Sequence, residues 1–514
     1  MAKRPQGPVP TLIVAGPGAG KTHKMVEEIV ACVPRLNSSR FLAAITYTNA
    51  AAEVIRSRLY RQIQPSRNIF VGTIHSFLSR FILGPYAALL GELPEDSLFM
   101  AVELDALEKS KGKSQTGRNK AITRNVIINA LVKKGIVPYD QMGTISAALI
   151  EKPHVRKSIG ARLQFLFVDE FQDVDTTQLR VFEGMRQEGR TVMFAVGDPE
   201  QYISSFTYGQ RCVPSPKYLK IPFFRFAEKA KRSEWSENHR SCSEIVTFTN
   251  NFHAHLTQQS SNGPRGCPRV FVLPDTDMPE IVERFRDISD KEHRGEQAIT
   301  RLYLGLANAT YDDVREKYGL VSVSNSSVSH RSALSDTLDV VAKSLGMSQA
   351  RIRDLCGLNI LEWRKLGIRV LRQLRSGGIT TQEQIERFVD AALPAAGQVE
   401  RKNTPTSEIA ALVDTIRSDS CRHESERCSS IHKAKGLEAD AVLVVARTAA
   451  ELSKWIETDG SRRAEDGTDS CRVGFVAFSR AKEVLCIACK KSIPDEMKQL
   501  LTKLGATMIS EMKG

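Results

Sequence analysis

The chain has 514 residues, of which 41% are hydrophobic and 25% charged, and a formal net charge of +13. This length predicts about three or four domains, and the composition is typical of a soluble globular protein. No apolar run approaches the roughly 18 residues of a membrane-spanning helix, and the N-terminal residues lack the apolar core of a secretory leader. We therefore expect a cytoplasmic protein without a membrane partner. The basic charge favours a polyanionic partner such as nucleic acid.

The first motif is a short strand, a glycine-rich turn and a helix. The four apolar residues Leu12–Ala15 predict a buried strand, and a helical pattern starts near Lys21. Glycines in the turn allow successive N–H groups to face phosphate oxygens, while Lys21 and Thr22 suit the β- and γ-phosphates and Mg²⁺. Glycine-rich turns before helices are common, but this strand–loop–helix context favours a nucleotide site. Its predicted residues are Ala15, Gly16, Pro17, Gly18, Ala19, Gly20, Lys21 and Thr22.

Strands and helices alternate through most of the first 200 residues. Further strands are predicted at 41–49, 69–73, 164–168 and 191–196, with a helix at 50–60. This alternation is typical of a parallel sheet with crossover helices. Between about residues 90 and 155 the pattern becomes helical and basic. There we expect an inserted helical subdomain with a mobile basic loop at 109–124, although a solvated charged face fits equally well.

A second α/β region is expected from residue 269. Strands are predicted at 270–273, 301–306, 441–445 and 485–489, and helices at 277–287 and from Asn308 towards Tyr318. Residues 330–400 are predicted to be mostly helical, and Ile360–Arg375 combines an apolar stripe with basic residues. The predicted fold class is therefore α/β, with two parallel-sheet cores and helical insertions.

Polar residues after two of the predicted strands complete a phosphoryl-transfer site. Asp169 and Glu170 follow five apolar residues, and Gln201 follows the next buried strand. Asp169 can hold Mg²⁺ directly or through water, and Glu170 can polarise an attacking water. The amide of Gln201 suits the γ-phosphate.

Two arginines in the second half are candidates for neutralising charge in the transition state. Arg240 lies in Glu-Asn-His-Arg-Ser, and Arg480 in Phe-Val-Ala-Phe-Ser-Arg-Ala. The planar guanidinium suits γ-phosphate oxygens. Taken alone, either arginine is equally consistent with a surface position or a structural ion pair.

These motifs occur in one recognisable order with several others. The segments are Ala15–Thr22, Thr46–Asn49, Gly72–Ser76, Val168–Asp173, Val196–Gln201, Asn238–Arg240, Ile431–Glu438 and Val476–Ala481. The chain thereby resembles the UvrD/Rep/PcrA family of superfamily 1 DNA helicases, from near its first residue to about residue 490. The resemblance implies two RecA-like domains with ATP, or another NTP or dNTP, and Mg²⁺ in the cleft between them.

The resemblance also implies roles for individual residues. The ATPase residues are Lys21, Thr22, Asp169, Glu170, Gln201, Arg240 and Arg480, with Thr22 and Asp169 on the metal, Gly436 and Glu438 approaching the nucleotide and Gln6 as the available adenine contact. The DNA contacts are Thr48, Asn49, Thr73, His75 and His432, and Phe206 can still stack a base. Tyr202 and Tyr208 either compensate for altered neighbours of Phe206 or simply pack. The implied activity is 3′ to 5′ translocation on single-stranded DNA or from DNA ends.

The chain departs from the family at several places. Ala50 replaces a lysine after Thr-Asn, Thr207 replaces an arginine, and few residues precede the first strand, which leaves base selectivity open. The insertion before His432 is also short. The expected domains are 1–90 with 155–215 (1A), 91–154 (1B), 216–325 with 429–500 (2A), 326–428 (a reduced 2B-like insertion) and a tail at 501–514.

A narrower resemblance, based on size and architecture, is to the helicase-like subunits of Gabija anti-phage systems. It implies a hetero-oligomer with an OLD-family subunit that carries a Toprim nuclease. A stand-alone repair helicase, a subunit of another defence or plasmid system, and a DNA-end sensor with little unwinding remain alternatives.

Overall fold

A computed structural model describes most of the chain, as two compact units. The described residues are 7–90, 100–102, 128, 131, 136–203, 220–293, 295, 298–323, 333–358, 360–376, 378–379, 381–392, 426–465 and 469–510. Met1–Ser322 and Cys428–Gly514 form one unit, here called the two-sheet unit. Val323–Arg427 form the other, here called the helical unit.

The first sheet has six strands in the order β3-β2-β6-β7-β1-β8. Each strand pairs in parallel with its neighbours, so the carboxyl ends of the strands meet at one edge. The strands are β1 (Thr11–Ala15), β2 (Phe41–Thr46), β3 (Ile69–Thr73), β6 (Leu163–Val168), β7 (Val192–Gly197) and β8 (Lys231–Trp235). A separate parallel pair consists of β4 (Met100–Val102) and β5 (Ile136–Pro138).

Helices cover both faces of this sheet. Within β1, Leu12 and Val14 pack into one buried cluster and Ile13 and Ala15 into another. Because the sheet is buried on both faces, the sequences of its strands are continuous apolar runs. The helices of this half are α1 (Lys21–Cys32), α2 (Asn49–Leu59), α3 (Ile74–Leu78), α4 (Gly84–Tyr86), α5 (Met142–Ile150), α6 (Pro153–Arg162), α7 (Thr176–Glu188) and α8 (Pro222–Ala227).

The second sheet has seven strands in the order β13-β14-β12-β15-β16-β11-β17. The neighbours from β12 to β17 pair in parallel. Its strands are β11 (Val270–Val272), β12 (Arg301–Gly305), β13 (Val321–Ser322), β14 (Glu426–Ser430), β15 (Ala439–Ala446), β16 (Ala481–Cys489) and β17 (Thr507–Met508). A short parallel pair, β9 (Glu237–Asn238) and β10 (Gln259–Ser260), stands apart from both large sheets.

The second sheet is also buried on both faces. Val442 and Val444 of β15 pack into one cluster, and Leu443 and Val445 into another. Its helices are α9 (Ser243–Asn250), α10 (Met278–Glu292), α11 (Asp312–Arg315), α16 (Ala449–Trp455), α17 (Gly460–Glu465), α18 (Ser470–Phe478) and α19 (Asp495–Lys503).

The helical unit has its own apolar core. Residues such as Val341, Ile352, Val370 and Val389 are fully buried in one cluster. Its described helices are α12 (Ala333–Ser344), α13 (Gln349–Leu355), α14 (Ile360–Arg375) and α15 (Gln382–Ala392). Helix α14 begins and ends at the residues that bound the predicted amphipathic segment.

The predicted fold class is confirmed, since two parallel α/β sheets with helices are present. Three details differ from expectation. Strand β8 pairs with β1, so the first sheet continues beyond residue 215. The region after Asn308 forms a 3₁₀ turn and the short α11, because Tyr311 is anchored in the core by donating to the Leu304 carbonyl at 2.9 Å. Strand β17, within the expected tail, pairs with β11.

Residues 109–124, predicted to form a basic loop, lie outside the described residues. None of the helices formed by the described residues is long and apolar enough to cross a membrane.

Candidate nucleotide site

The glycine-rich loop joins β1 to α1 and leads into a cleft. Gly18 and Gly20 have φ values of +70° and +69°, in the left-handed region that favours glycine. The ammonium of Lys21 lies 3.2 Å from the carbonyl oxygen of Ala15 and 3.3 Å from that of Gly16. The loop therefore presents a cation and the start of a helix to the cleft, which is the geometry that binds phosphate.

A cavity of about 590 Å³ adjoins this loop and is lined from both halves of the two-sheet unit. Twelve of the predicted site residues line it. They are Pro17, Gly18, Ala19, Gly20, Lys21, Thr22, Glu170, Gln201, Arg240, Gly436, Glu438 and Arg480. The fold thus brings together side chains that are separated by more than 400 positions in the sequence.

The two adjacent carboxylates follow β6. Asp169 is almost fully buried, and its Oδ1 accepts the backbone N–H of Glu170 at 2.9 Å. Glu170 has a φ of +51°, which is unusual for a residue with a side chain and is often found at functional sites. Its Oε2 accepts a hydrogen bond of 2.6 Å from Gln172, whose Oε1 accepts the N–H of Asp198. Gln172 therefore orients the carboxylate of Glu170.

The electrostatics of this pair suit a divalent cation. Burial and the neighbouring Glu170 raise the pKa of Asp169 to about 7. Burial alone would also raise the pKa of Glu170, but the ammonium groups of Lys21 and Lys435 lower it. No group of three or more His, Cys, Asp or Glu side chains suited to a metal occurs within the described residues. The two adjacent carboxylates nevertheless fit Mg²⁺, which commonly combines one or two carboxylates with substrate phosphates and water.

We expect Asp169→Asn to change how stability depends on pH. The pKa of Asp169 is raised from 3.8 to about 7, so the folded state keeps a proton that the unfolded state has released. That stabilisation is complete below about pH 4 and is lost as the pH rises through about 7, which corresponds to about 4 kcal/mol in all. Without nucleotide, the melting temperature of the wild type should therefore fall more steeply than that of the variant between about pH 5 and about pH 8.

The exposed Asp312→Asn provides the control, since it should leave the pH profile unchanged. Added Mg²⁺ should raise the melting temperature of the wild type at the higher pH and leave Asp169→Asn unaffected. Identical pH profiles for the wild type and Asp169→Asn would contradict the prediction.

A buried polar chain runs from the first half of the site to Arg480. Gln201 donates to Asp198 Oδ2 at 2.8 Å, and a guanidinium nitrogen of Arg480 lies 3.5 Å from Gln201 Oε1. His253 Nε2 lies 2.9 Å from the other oxygen of Asp198. Burial alone would raise the pKa of Asp198, but His253 lowers it to about 2. Gln201 is thus held by a carboxylate that stays ionised.

Arg480 is 2% exposed and remains a cation at neutral pH. Burial, with the charge of Arg240, lowers its pKa to about 9. Its Nε donates to the Val476 carbonyl at 2.9 Å, which anchors the guanidinium at the end of α18. Within the described residues, its contacts are to neutral oxygens rather than to a carboxylate. The guanidinium therefore lines the cavity without a direct carboxylate contact among the described residues, while the charges of Glu170, Glu438 and Asp198 act on it from a greater distance.

Arg240 approaches the cavity through a different network. Its Nε donates to Glu438 at 2.7 Å, and another nitrogen donates to the Ser479 carbonyl at 3.0 Å. Lys482 lies 3.2 Å from the second oxygen of Glu438. Burial alone would raise the pKa of Glu438, but Arg240 and Lys482 lower it. Arg240 is thus paired with a carboxylate, whereas no carboxylate of the described ranges contacts Arg480.

Comparison with known proteins agrees with the resemblance to superfamily 1 helicases. A family model described as an AAA domain matches residues 6–207. Gabija protein GajB of Bacillus cereus is 26% identical over 52% of this chain and 51% of its own length. The helicase Rep of Escherichia coli is 24% identical over 38% of this chain and 35% of its own, and PcrA of Staphylococcus epidermidis is 23% identical over 49% and 39%.

These similarities support a UvrD-like superfamily 1 assignment for this chain. The segments that match this chain cover about half, or less, of the length of these curated relatives. Superfamily 1 relatives such as Rep and PcrA are named as ATP-dependent DNA helicases.

Two residues that support the phosphate loop were not predicted as site residues. Asn238 and Gln258 both donate to the Pro17 carbonyl, at 3.0 and 3.1 Å. A Cβ on Gly18 would lie only 2.5 Å from Asn238 Oδ1, so this close approach requires glycine. The sequence contained a signal for Asn238, because this residue begins the Asn-His-Arg motif. Gln258 had none, because it lies 241 positions from the loop that it supports.

Charged pairs between the two halves were also missed. Arg463 binds Glu200, and both side chains are nearly fully buried. Lys435 binds Asp173, and Arg472 Nε donates to the Tyr202 carbonyl at 3.0 Å. These contacts link the segments that follow β6 and β7 to α17, α18 and the loop after β14. Removing one member of such a buried pair is costly, because it leaves an unpaired charge.

The predicted DNA contacts of the first half lie at the carboxyl edge of its sheet. Thr48 and Thr73 begin α2 and α3, where their hydroxyls accept backbone N–H groups at 3.1 and 3.2 Å. Asn49 is exposed beside Thr48. The ring of His75 packs edge-on against Tyr139 at 5.8 Å, and burial lowers its pKa. Thr48, Thr73 and His75 thus have structural roles, and the DNA contacts of all four residues stay predictions.

The remaining DNA candidates divide into three cases. His432 lines a second cavity of about 500 Å³, with the cations Arg447 and Lys454, and burial lowers its pKa. Tyr202 packs against the first core, which favours a packing role. Phe206 lies outside the described residues, as does Gln6, the predicted adenine contact.

Proposed function

We propose that this chain hydrolyses ATP in the cleft between its two sheets and uses the hydrolysis to move 3′ to 5′ on single-stranded DNA. The observation that carries this proposal is the shared cavity. Lys21 and Glu170 line it from the first half, and Arg240 and Arg480 line it from the second. Phosphoryl transfer depends on such positioned charges more than on covalent chemistry.

Each side chain has a defined task in this proposal. The loop N–H groups and Lys21 bind the phosphates, and Thr22 with Asp169 would hold Mg²⁺, which neutralises charge on the phosphate oxygens when bound. Glu170, oriented by Gln172, aligns the attacking water and accepts its proton. Arg480 stabilises the charge that develops on the γ-phosphate.

Coupling between ATP and DNA follows from the same contacts. Gln201 contacts Arg480, and the neighbouring Glu200 forms an ion pair with Arg463. The segment after β7 in the first half is therefore bonded to two residues of the second half, and a movement of one half would be transmitted to the other. The exposed Thr48 and Asn49 lie at the carboxyl edge of the same sheet. Nucleotide-driven closure of the cleft would change the distance between DNA contacts on the two sheets, which is how lid and domain motions perform work.

The direct test is ATP turnover with and without single-stranded DNA. We expect DNA to stimulate the wild type, and Lys21→Ala to lose turnover by orders of magnitude, because the variant lacks the phosphate-binding cation. Lys24→Ala, on the next turn of α1, is the matched control and should retain turnover. Equal turnover by Lys21→Ala and the wild type would disprove the site assignment.

For the biological setting we propose a Gabija-type defence complex with an OLD-family Toprim nuclease subunit. Support comes from the similarity to GajB. DNA ends produced by the nuclease would then stimulate ATP hydrolysis here. Co-expression with the neighbouring gene product should give co-migration in gel filtration. A monomer without a co-migrating nuclease would leave a stand-alone repair helicase.

A DNA-end sensor with little unwinding is the second candidate. It is favoured by the replaced arginine at Thr207 and the short insertion. A strand-displacement assay on tailed and blunt duplexes separates the candidates, since processive unwinding by the isolated chain would exclude the sensor.

A further inference from the structure

One loop of the two-sheet unit contacts the cores of both sheets. Residues 251–258 join α9 to β10 and are here called the α9–β10 loop. Phe252 is fully buried in the core of the second sheet, and Leu256 is buried in that of the first. Asn250, at the end of α9, donates to the Gln258 carbonyl at 2.9 Å and accepts the Gln258 N–H at 3.0 Å. The loop is therefore closed by hydrogen bonds and fixed where the two halves meet.

The ring of His253, within this loop, has a defined orientation and tautomer. Its side chain is 2% exposed and packs edge-on against Phe475, with ring centres 5.3 Å apart. Its Nδ1 accepts the backbone N–H of Leu256 at 3.0 Å and that of His255 at 3.2 Å. Because an imidazole nitrogen that accepts a hydrogen bond carries no hydrogen, the ring hydrogen lies on Nε2. Nε2 therefore donates to Asp198 Oδ1, 2.9 Å away.

Asp198 connects this histidine to the nucleotide cavity. Its Oδ1 also accepts the backbone N–H of Glu200 at 3.0 Å, and its Oδ2 accepts the side-chain amide of Gln201 at 2.8 Å. The backbone N–H of Asp198 donates to Gln172 at 3.0 Å, so its main chain is held as well. Since the amide nitrogen of Gln201 faces Asp198, the amide oxygen is directed towards Arg480. Gln201 therefore presents one defined orientation to the cavity.

We propose that His253 is a positioning residue for ATP hydrolysis. It holds Asp198, and Asp198 holds the amide of Gln201 in the orientation that meets Arg480 and the γ-phosphate. The inference rests on the ATPase proposed above and concerns its chemical step. Because His253 directly follows the core residue Phe252, the α9–β10 loop links the core of the second sheet to the γ-phosphate end of the cavity.

This role differs from that of a histidine that only satisfies a buried carboxylate. A purely structural histidine would change the melting temperature and leave the reaction of the folded protein intact. A positioning residue changes the rate at unchanged nucleotide affinity, because a displacement of about 1 Å at the reacting groups can cost on the order of 10²-fold in rate.

The first test replaces His253 by phenylalanine in the full chain, which keeps a ring against Phe475 but removes the donor to Asp198. With saturating single-stranded DNA, and at a temperature at which circular dichroism shows a folded protein, kcat should fall at least about 10-fold while KM for ATP stays within about two-fold. His253→Gln retains a donor near the position of Nε2 and should restore kcat to within about three-fold of the wild type.

His255→Phe is the matched control. This substitution lies in the same loop and keeps the backbone N–H that donates to His253. We therefore expect it to retain the kcat of the wild type, whatever its effect on the melting temperature.

A double-mutant cycle with Gln201→Ala tests whether His253 acts through Gln201. In the Gln201→Ala background, His253→Phe should lower kcat by no more than about two-fold, because the side chain that it positions is already absent. A complex of ADP, Mg²⁺ and aluminium fluoride, which mimics the transferring phosphoryl group, should bind His253→Phe more weakly than the wild type, whereas ADP should bind both equally.

If His253→Phe does not fold, Asp198→Asn replaces it. This change places an amide donor against the amide of Gln201 and should likewise lower kcat at unchanged KM. A folded His253→Phe with the kcat of the wild type, or equal losses in the presence and absence of Gln201, would overturn the inference and leave the ATPase proposal standing. Absence of hydrolysis by the wild type would overturn both.

Discussion

Replacing Glu170 by glutamine is expected to lower DNA-stimulated ATP turnover about 1,000-fold, because the amide cannot accept the proton of the attacking water. Glu170 suits that task. It lines the cavity, Gln172 orients it, and its pKa is lowered by Lys21 and Lys435 against the effect of burial, so it is ionised at neutral pH. Phosphate release under saturating ATP and single-stranded DNA measures the effect.

The same variant should still bind nucleotide, since glutamine keeps the size and hydrogen-bonding shape of the side chain. A fluorescent, non-hydrolysable ATP analogue tests this directly. Glu27→Gln, an exposed carboxylate on α1, is the matched control and should retain full turnover. If Glu170→Gln kept turnover within about ten-fold of the wild type, Glu170 would not be the general base.

Replacing Arg480 by lysine is the second change with a large expected effect. Lysine preserves the charge but loses the planar fork that spans two phosphate oxygens. Arginines that stabilise phosphoryl transfer contribute about 10³-fold or more to the rate, and Arg480 is directed at the cavity without a carboxylate partner among the described residues. We therefore expect turnover to fall about 1,000-fold in single-turnover assays, with a much smaller change in nucleotide affinity.

Arg472→Lys is the control, because Arg472 lies within α18 and is as deeply buried as Arg480, which follows that helix, but it is paired with Asp469 and does not line the cavity. It should lower the melting temperature and leave the chemical rate of the folded protein largely intact. Equal rate losses in Arg472→Lys and Arg480→Lys would mean that α18 acts only as structural support. Loss in Arg240→Lys alone would transfer the role to Arg240.

Local chemistry made much of the fold predictable. Strands buried on both faces are continuous apolar runs, so β1, β3 and β6 were predicted almost to their ends. Helix α14 was recognised by its apolar stripe, because periodicity and burial coincide in an amphipathic helix. The phosphate loop was equally predictable, because its left-handed backbone angles at Gly18 and Gly20 require glycine at those positions in the sequence.

Tertiary structure decided which long-range partners complete the site. The sequence marked both Arg240 and Arg480 as candidates, but only the fold shows that Glu438 pairs with the first while the second reaches Gln201. The buried pair of Glu200 and Arg463 spans 263 positions, and no local pattern announces it.

The sequence by itself therefore determined the local elements: the strands, the phosphate loop and the carboxylates after β6. Short-range backbone preferences and hydrophobic periodicity encode these elements, and both can be read within a few residues. Only the tertiary structure decided which cations face the cavity, how Gln258 supports Pro17, and how His253 reaches Asp198. Such contacts depend on how strands and helices pack in three dimensions, because they join residues that the chain itself keeps apart.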